Sequence, residues 1–175
     1  KAKMPEMRCS HEAVALNGYI YVIGGSKVVY NSATGQYKME STDKVLRYDP
    51  STNKWSTAGS ISIPRRDFGA EVANGKIYIM GGYDASDKLT TSIEEYDPSK
   101  DTWTTKNPMP VASAHFGTAT ANDKIYIIGG TGNNRSFKEY DPVTETWTDK
   151  GGYPFAGERH KAEIVDNRIY TMGGL

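Results

Sequence analysis

Gly75-Lys76-Ile77-Tyr78-Ile79-Met80-Gly81-Gly82 is written four times along this chain. The other copies are Gly18-Tyr19-Ile20-Tyr21-Val22-Ile23-Gly24-Gly25, Asp123-Lys124-Ile125-Tyr126-Ile127-Ile128-Gly129-Gly130 and Asn167-Arg168-Ile169-Tyr170-Thr171-Met172-Gly173-Gly174. A turn residue, a short β-branched and aromatic run, and a glycine pair that stops it read as one buried strand between two bends. Four such strands predict an internal repeat, and the repeat sets everything else.

The first three glycine pairs are each followed by Tyr-Asp-Pro (Tyr48, Tyr96, Tyr140) and then by a lone tryptophan (Trp55, Trp103, Trp147). The interval from tyrosine to tryptophan is 7 residues each time (48 to 55, 96 to 103, 140 to 147). From tryptophan to the next glycine pair it is 26 each time (55 to 81, 103 to 129, 147 to 173). Only the step from glycine pair to Tyr-Asp-Pro varies, at 24, 15 and 11 residues (24 to 48, 81 to 96, 129 to 140). One connection is free to change, and the others are not.

This pattern resembles the kelch repeat over almost the whole chain. The resemblance implies an all-β fold, a β-propeller of four-stranded antiparallel blades with strands A to D running outward from the axis. The blades are expected at about residues 4–60, 61–108 and 109–152, with a partial blade at 153–175, in one segment spanning 1–175. Propellers close at about 4 to 8 blades. Three repeats and a half therefore predict an incomplete ring, expected to be a segment of a longer propeller whose remaining blades come from a longer parent chain or from another copy.

Within each repeat the residues have local reasons for their places. Asn17-Gly18, Asn74-Gly75, Asn122-Asp123 and Asp166-Asn167 accept positive φ and predict tight hairpins between strands A and B. The A strands (Ala13-Val14-Ala15, Gly69-Ala70, Gly117-Thr118-Ala119) are small, as crowding at an axis requires. The glycine pairs read as a bend that lets another backbone approach; they do not read as a phosphate cradle, because no Lys-Ser/Thr or helix start follows. Proline forces the corner after strand C. Seven residues across that corner bring each tyrosine and tryptophan together as inter-blade core, and Trp103 is expected to be buried.

The chain has 175 residues, 37% apolar and 24% charged, with Lys plus Arg equal to Asp plus Glu at 21 each. That balance argues against a nucleic-acid partner or an anionic membrane surface, and no apolar run is long enough for a helical bilayer span. Cys9 is the single cysteine, which excludes an internal disulfide and a cysteine-based metal cluster. No His pair has metal-site spacing. The copper ligands of kelch-type oxidases find no match here, so no metal or cofactor is expected. Nothing in the sequence separates a cytoplasmic from a secreted address.

Aligning the repeats on strand B exposes the candidate site. The column just before strand A reads Ser10, Asp67, His115, Arg159, and another reads Arg8, Arg65, Ser113, Gly157. Columns that differ in charge do not pack one shared slot, so they are expected at the mouth of the channel. The next column, His11, Phe68, Phe116, His160, reads as rings filling an apolar slot. Glu71 and Glu163 share a column inside strand A, where a carboxylate must be paired or wet; the expected partners are Arg66 or Arg159.

The loops between strands B and C carry the length variation: residues 26–44 with Tyr30, Tyr37 and Met39, residues 83–92 starting at Tyr83, and residues 131–136 with Asn133. Propeller strands alternate, so these loops share a face with the D to A connections, and kelch proteins usually bind through it. The reading is a non-enzymatic module that recognises a protein or peptide there. One alternative is a sugar-modifying enzyme of the epimerase or mutarotase kind, which needs Glu71 or Glu163, His115 and Arg159 to converge. The other is a carbohydrate-binding module, which needs Tyr30, Tyr37 or Tyr83 exposed as platforms.

Overall fold

A computed structural model describes residues 1–132, 135–153, 157–166 and 168–174. Asn133 lies outside the described residues, as does Asn167 of the fourth tight corner. All regular structure among the described residues is β.

The first repeat forms β1 (Glu12–Leu16), β2 (Tyr19–Ile23), β3 (Ser26–Asn31), β4 (Gln36–Ser41), β5 (Val45–Asp49) and β6 (Lys54–Ala58). The second forms β7 (Arg65–Arg66), β8 (Gly69–Ala73), β9 (Lys76–Met80), β10 (Tyr83–Asp84), β11 (Ile93–Asp97) and β12 (Thr102–Lys106). The third forms β13 (Gly117–Ala121), β14 (Lys124–Ile128), β15 (Ser136–Asp141) and β16 (Thr146–Gly152), and β17 (His160–Val165) and β18 (Arg168–Gly173) follow. Three antiparallel four-stranded sheets result, ordered β1-β2-β5-β6, β8-β9-β11-β12 and β13-β14-β15-β16, with β17-β18 as a further pair. They are the blades of a propeller whose ring is not closed.

The glycine pair is the stitch within and between blades. In each repeat the N–H of the first glycine donates within its own blade: Gly24 to Lys44 C=O (3.1 Å), Gly81 to Ser92 C=O (3.0 Å), Gly129 to Ser136 C=O (2.7 Å). The second donates forward to the next blade: Gly25 to Arg65 C=O (2.8 Å), Gly82 to Ser113 C=O (2.8 Å), Gly130 to Gly157 C=O (3.0 Å). At Gly81, with φ 64°, a Cβ would sit 2.5 Å from the Ser113 carbonyl oxygen and 2.9 Å from the Phe116 ring. Only glycine lets the next blade come this near.

The core lies between the sheets rather than within one. Tyr21, Ile23, Phe68, Ile77, Ile79 and Tyr96 join the first and second blades, while Tyr78, Met80, Phe116, Ile125, Ile127 and Tyr140 join the second and third. The residue column predicted to be rings behaves as wedges. Phe116 rests against Gly69, and His160 takes the same slot against Gly117 of the preceding blade.

Two expectations change. The tyrosines of Tyr-Asp-Pro are buried, but Trp55, Trp103 and Trp147 are only half-buried, each tilted against its cross-strand tyrosine at 4.9 to 5.1 Å between centroids. The reason is polar: each indole N–H must reach a carbonyl of the strand-free segment before its blade, Ala2 (3.3 Å), Gly59 (2.6 Å) and Pro108 (3.1 Å). Second, residues 26–41 are not an irregular loop. They fold as the hairpin β3–β4, in which alternation pairs Val28 with Met39 and Tyr30 with Tyr37.

Candidate functional site

The B to C and D to A segments meet on one face through main-chain pairing. Cys9 bridges to Ser26, Arg66 pairs with Tyr83, and the Thr131 N–H donates to Ala114 C=O at 2.8 Å. The same backbone pattern therefore builds the mouth three times, whatever the length of the loop above it.

Ser10, Asp67, His115 and Arg159 do come together. All four are left-handed, with φ of 54°, 54°, 56° and 62°. Their backbones form a chain around the mouth: Asp67 N–H to Ser10 C=O (3.1 Å), His115 N–H to Asp67 C=O (3.0 Å), Arg159 N–H to His115 C=O (2.7 Å). The conformation is shared while the side chains differ, so the column is a fixed frame carrying variable chemistry. These residues line a cavity of about 360 Å³ with Glu12, Lys161 and the edges of Phe68, Phe116 and His160.

His115 is the centre of a polar network. Its Nε2 lies 3.4 Å from Asp67 Oδ1, and its Nδ1 lies 3.2 Å from Thr131 Oγ1, which donates to Glu158 Oε2 at 2.5 Å. Arg159 is turned toward the cavity, with Glu158 3.9 Å from its Nε. Thr131, Glu158, Glu12 and Lys161 escaped the sequence reading. The last two share the column one place after the His/Phe column, with Gly69 and Gly117 as their counterparts, and that charge contrast was the available signal.

Arg8 and Arg65 are placed differently from expectation, because both side chains turn inward. Arg65 is fully buried, donating to the carbonyls of Gly81 and Ser92 (3.1 Å each) and to Glu94 Oε1 at 2.7 Å. Arg8 repeats the clamp on Gly24 C=O (3.2 Å), Lys44 C=O (2.8 Å) and Glu6 Oε2 (3.2 Å). Where strand B ends, carbonyls face the blade interior and need donors, and a guanidinium fork supplies several at once.

Glu71 and Glu163 lie deeper, lining a second cavity of about 520 Å³ that shares Glu12 and Lys161 with the first. Neither meets Arg66 or Arg159. Thr120 Oγ1 donates to Glu71 Oε2 at 2.8 Å, Arg66 pairs with Asp67 and Asp87, and Lys161 Nζ reaches across the channel to Glu12 Oε1 at 2.6 Å. Burial pushes the Glu71 carboxyl above its usual range, the Thr120 and Thr118 hydroxyls pull it back, and Glu163 and Glu12 raise it further. The four groups named for sugar chemistry thus divide between two cavities: His115 and Arg159 at the mouth, Glu71 and Glu163 below.

Of the tyrosines, Tyr83 has one ring face taken by the Arg66 guanidinium at 4.8 Å and the His115 ring 5.7 Å from its centroid. Tyr30 and Tyr37 are exposed, tilted at 52° to one another, and form no single flat platform.

The repeat geometry has its counterpart among known proteins. The family model described as KLHDC2/KLHL20/DRC7 Kelch-repeats domain matches residues 1–174. The chain belongs to the kelch-repeat family. Kelch-like protein 26 of Danio rerio is 34% identical over 87 residues, 49% of this chain and 14% of that protein. Spermatocyte protein spe-26 of Caenorhabditis elegans is 36% identical over 90 residues, 51% of this chain and 15% of that protein. The alignments thus span only 14 to 15% of the length of these curated relatives. The solved structure of YjhT superimposes with a TM-score of 0.81 at 20% identity, covering 95% of this chain and 59% of that one, a likeness of fold. In kelch terms, the variable B to C connections and the mouth column form one surface. No described helix is long and apolar enough to cross a membrane.

Proposed function

We propose that this kelch segment is a non-enzymatic recognition module. It takes a protein or peptide on the face built by the B to C and D to A segments, with the Ser10, Asp67, His115 and Arg159 cavity at its centre. Protein binding is typical of kelch-like relatives. The observation that carries the reading for this chain is the β3–β4 hairpin. Val28, Tyr30, Tyr37 and Met39 stand on one of its faces with 58%, 56%, 75% and 48% of their surfaces exposed. Scattered apolar residues are ordinary at a surface, but two adjacent cross-strand pairs left in water mark an interaction surface. Met39 also lines a cavity that reaches Ser10 at the mouth, so apolar hairpin and charged mouth are continuous.

Shortening residues 27–40 to a tight turn tests this. Binders selected from a displayed peptide library should lose affinity at least tenfold on the shortened chain, while its thermal midpoint stays within a few degrees. Unchanged binding moves the site elsewhere. Binding of a glycan array in place of peptides favours the carbohydrate reading.

A further inference from the structure

The outer edge of β3 carries unpaired main-chain groups in a fixed alternation. Cys9 N–H donates to Ser26 C=O at 3.0 Å and Ser26 N–H donates to Cys9 C=O at 2.8 Å, so both groups of Ser26 point away from β4. Strand geometry repeats that direction every second residue. The N–H and C=O of Val28 and Tyr30 therefore point outward as well, where β3 has no neighbouring strand among the described residues. Natural edges are usually blunted by proline, a bulge or a charge. This one has neither proline nor bulge, and its one charge, Lys27, belongs to the opposite face from Val28 and Tyr30.

A groove of about 400 Å³ adjoins the same edge, lined by Glu6, Met7, Cys9, Ser26, Lys27 and Val28 together with Arg8. Met7 is almost wholly exposed there. Among the described residues Lys27 and Lys38 make no ion pair. Glu40 stands directly opposite Lys27 on the face that also carries Lys38, so that face keeps an excess of one positive charge. The hairpin therefore offers a row of donors and acceptors, an apolar seat and a net positive face.

We propose that β3 accepts an extended peptide as an added strand. The peptide pairs its main chain with Val28 and Tyr30, seats one apolar side chain beside Met7 and Val28, and flanks it with acidic residues that face Lys27, on the side of the hairpin where Lys27 and Lys38 outnumber Glu40. The proposal rests on the recognition-module reading and names its mode. A second copy of this chain is the poorer occupant. Four side chains make a patch of a few hundred Å² at most, against about 800 Å² per partner in a standard interface. An added strand draws its affinity from main-chain hydrogen bonds instead and needs no such area.

The probes are fluorescein-labelled ten-residue peptides of alternating valine and threonine, with Val, Leu or Phe at the centre and an aspartate on each side of it, titrated by anisotropy onto the 175-residue chain. Binding is expected, and N-methylation of one alternate set of amides should weaken it at least tenfold while methylation of the other set leaves it unchanged. Val28→Pro removes an outward N–H without touching the β3–β4 ladder and should give the same loss. Should that variant fail to fold, the methylated peptides carry the test alone. Lys27→Glu with Lys38→Glu should transfer preference to lysine-flanked probes. No binding by any probe, or equal loss from both methylation sets, overturns strand addition. A library-selected binder that needs the hairpin but ignores Val28→Pro also overturns it, while leaving the recognition-module reading intact.

Discussion

Glu71 sits in a crowded inner strand with a threonine hydroxyl as its hydrogen-bond donor and, among the described residues, no ion-pair partner. Its carboxyl is held above the ordinary 4.5, first by burial. A group whose folded value is raised is favoured in its protonated form, so its stabilising contribution is present below pH 4.5 and is lost as pH rises through the folded value. At neutral pH the charge therefore works against folding. Glu71→Gln keeps an acceptor for Thr120 and removes the charge. It should stabilise at pH 7 by roughly 0.5 to 2 kcal/mol, the usual yield of a favourable single change. Urea unfolding at pH 7 and at pH 4 checks this: the gain should be present at the first and nearly gone at the second. An equal gain at both, or a loss at pH 7, would show that burial of charge is not what Glu71 endures.

At the scale of elements, the Tyr-Asp-Pro corner and the tryptophan strand act as one unit. Asp97 Oδ1 accepts the Ser99 N–H at 2.9 Å to set the corner, and Tyr96 donates to Asp101 Oδ1 at 2.6 Å, which also accepts the Gly59 N–H at 2.8 Å. Trp103 then lies on Tyr96 and donates to the Gly59 carbonyl, so strands β11 and β12 grip the linker from the preceding blade. Tyr96 is buried and Trp103 half-buried, so Tyr96→Ala should cost about 3 to 5 kcal/mol and Trp103→Ala nearer 2, by the usual scale of large-to-small changes. Chemical denaturation of the two variants ranks them, and a larger loss at Trp103 would reverse the assignment of core and cover. These elements were legible because the repeat fixes their spacing: β2, β9 and β14 lie within the quoted strand stretches, and the positive-φ column was visible as one aligned position. The inward turn of Arg65 was not, since two of its acceptors are main-chain carbonyls that look the same in every sequence and its carboxylate partner Glu94 is 29 residues away. Nor was the hairpin at 26–41, because the repeat leaves that connection unconstrained; only the alternation of Val28 and Tyr30 opposite Tyr37 and Met39 hinted at it. The relay from Asp67 through His115 and Thr131 to Glu158 joins three successive repeats and has no sequence-local signature.

Across the whole molecule, blades couple mainly to their neighbours, through the glycine stitch, the left-handed column and the ring wedge, and such architectures gain stability one interface at a time. Strands β9, β11 and β14 are covered on both sides, whereas β18 is largely exposed and β17 is held chiefly by Ala162 and His160 against the third blade. Hydrogen exchange should therefore be slowest in β9, β11 and β14 and fastest in β3–β4 and β17–β18. His160 adds a pH dependence to the last pair. Burial holds its imidazole below the ordinary 6.5, with a main-chain hydrogen bond to Ile128 opposing, and its Nε2 faces Gly117 with no hydrogen-bond partner among the described residues. A group whose folded value is depressed gives stability that is full above pH 6.5 and declines as pH falls through the folded value, because the unfolded chain then binds the proton more readily. Protection of β17–β18, corrected for intrinsic exchange rates, should thus fall between pH 7.5 and pH 5.5 while that of β9 holds. His160→Phe copies the wedge already used at Phe116, so it should keep β17–β18 docked and flatten this response. A variant that retains the full pH dependence, or a wild-type pair whose protection does not change, would remove His160 from the seam.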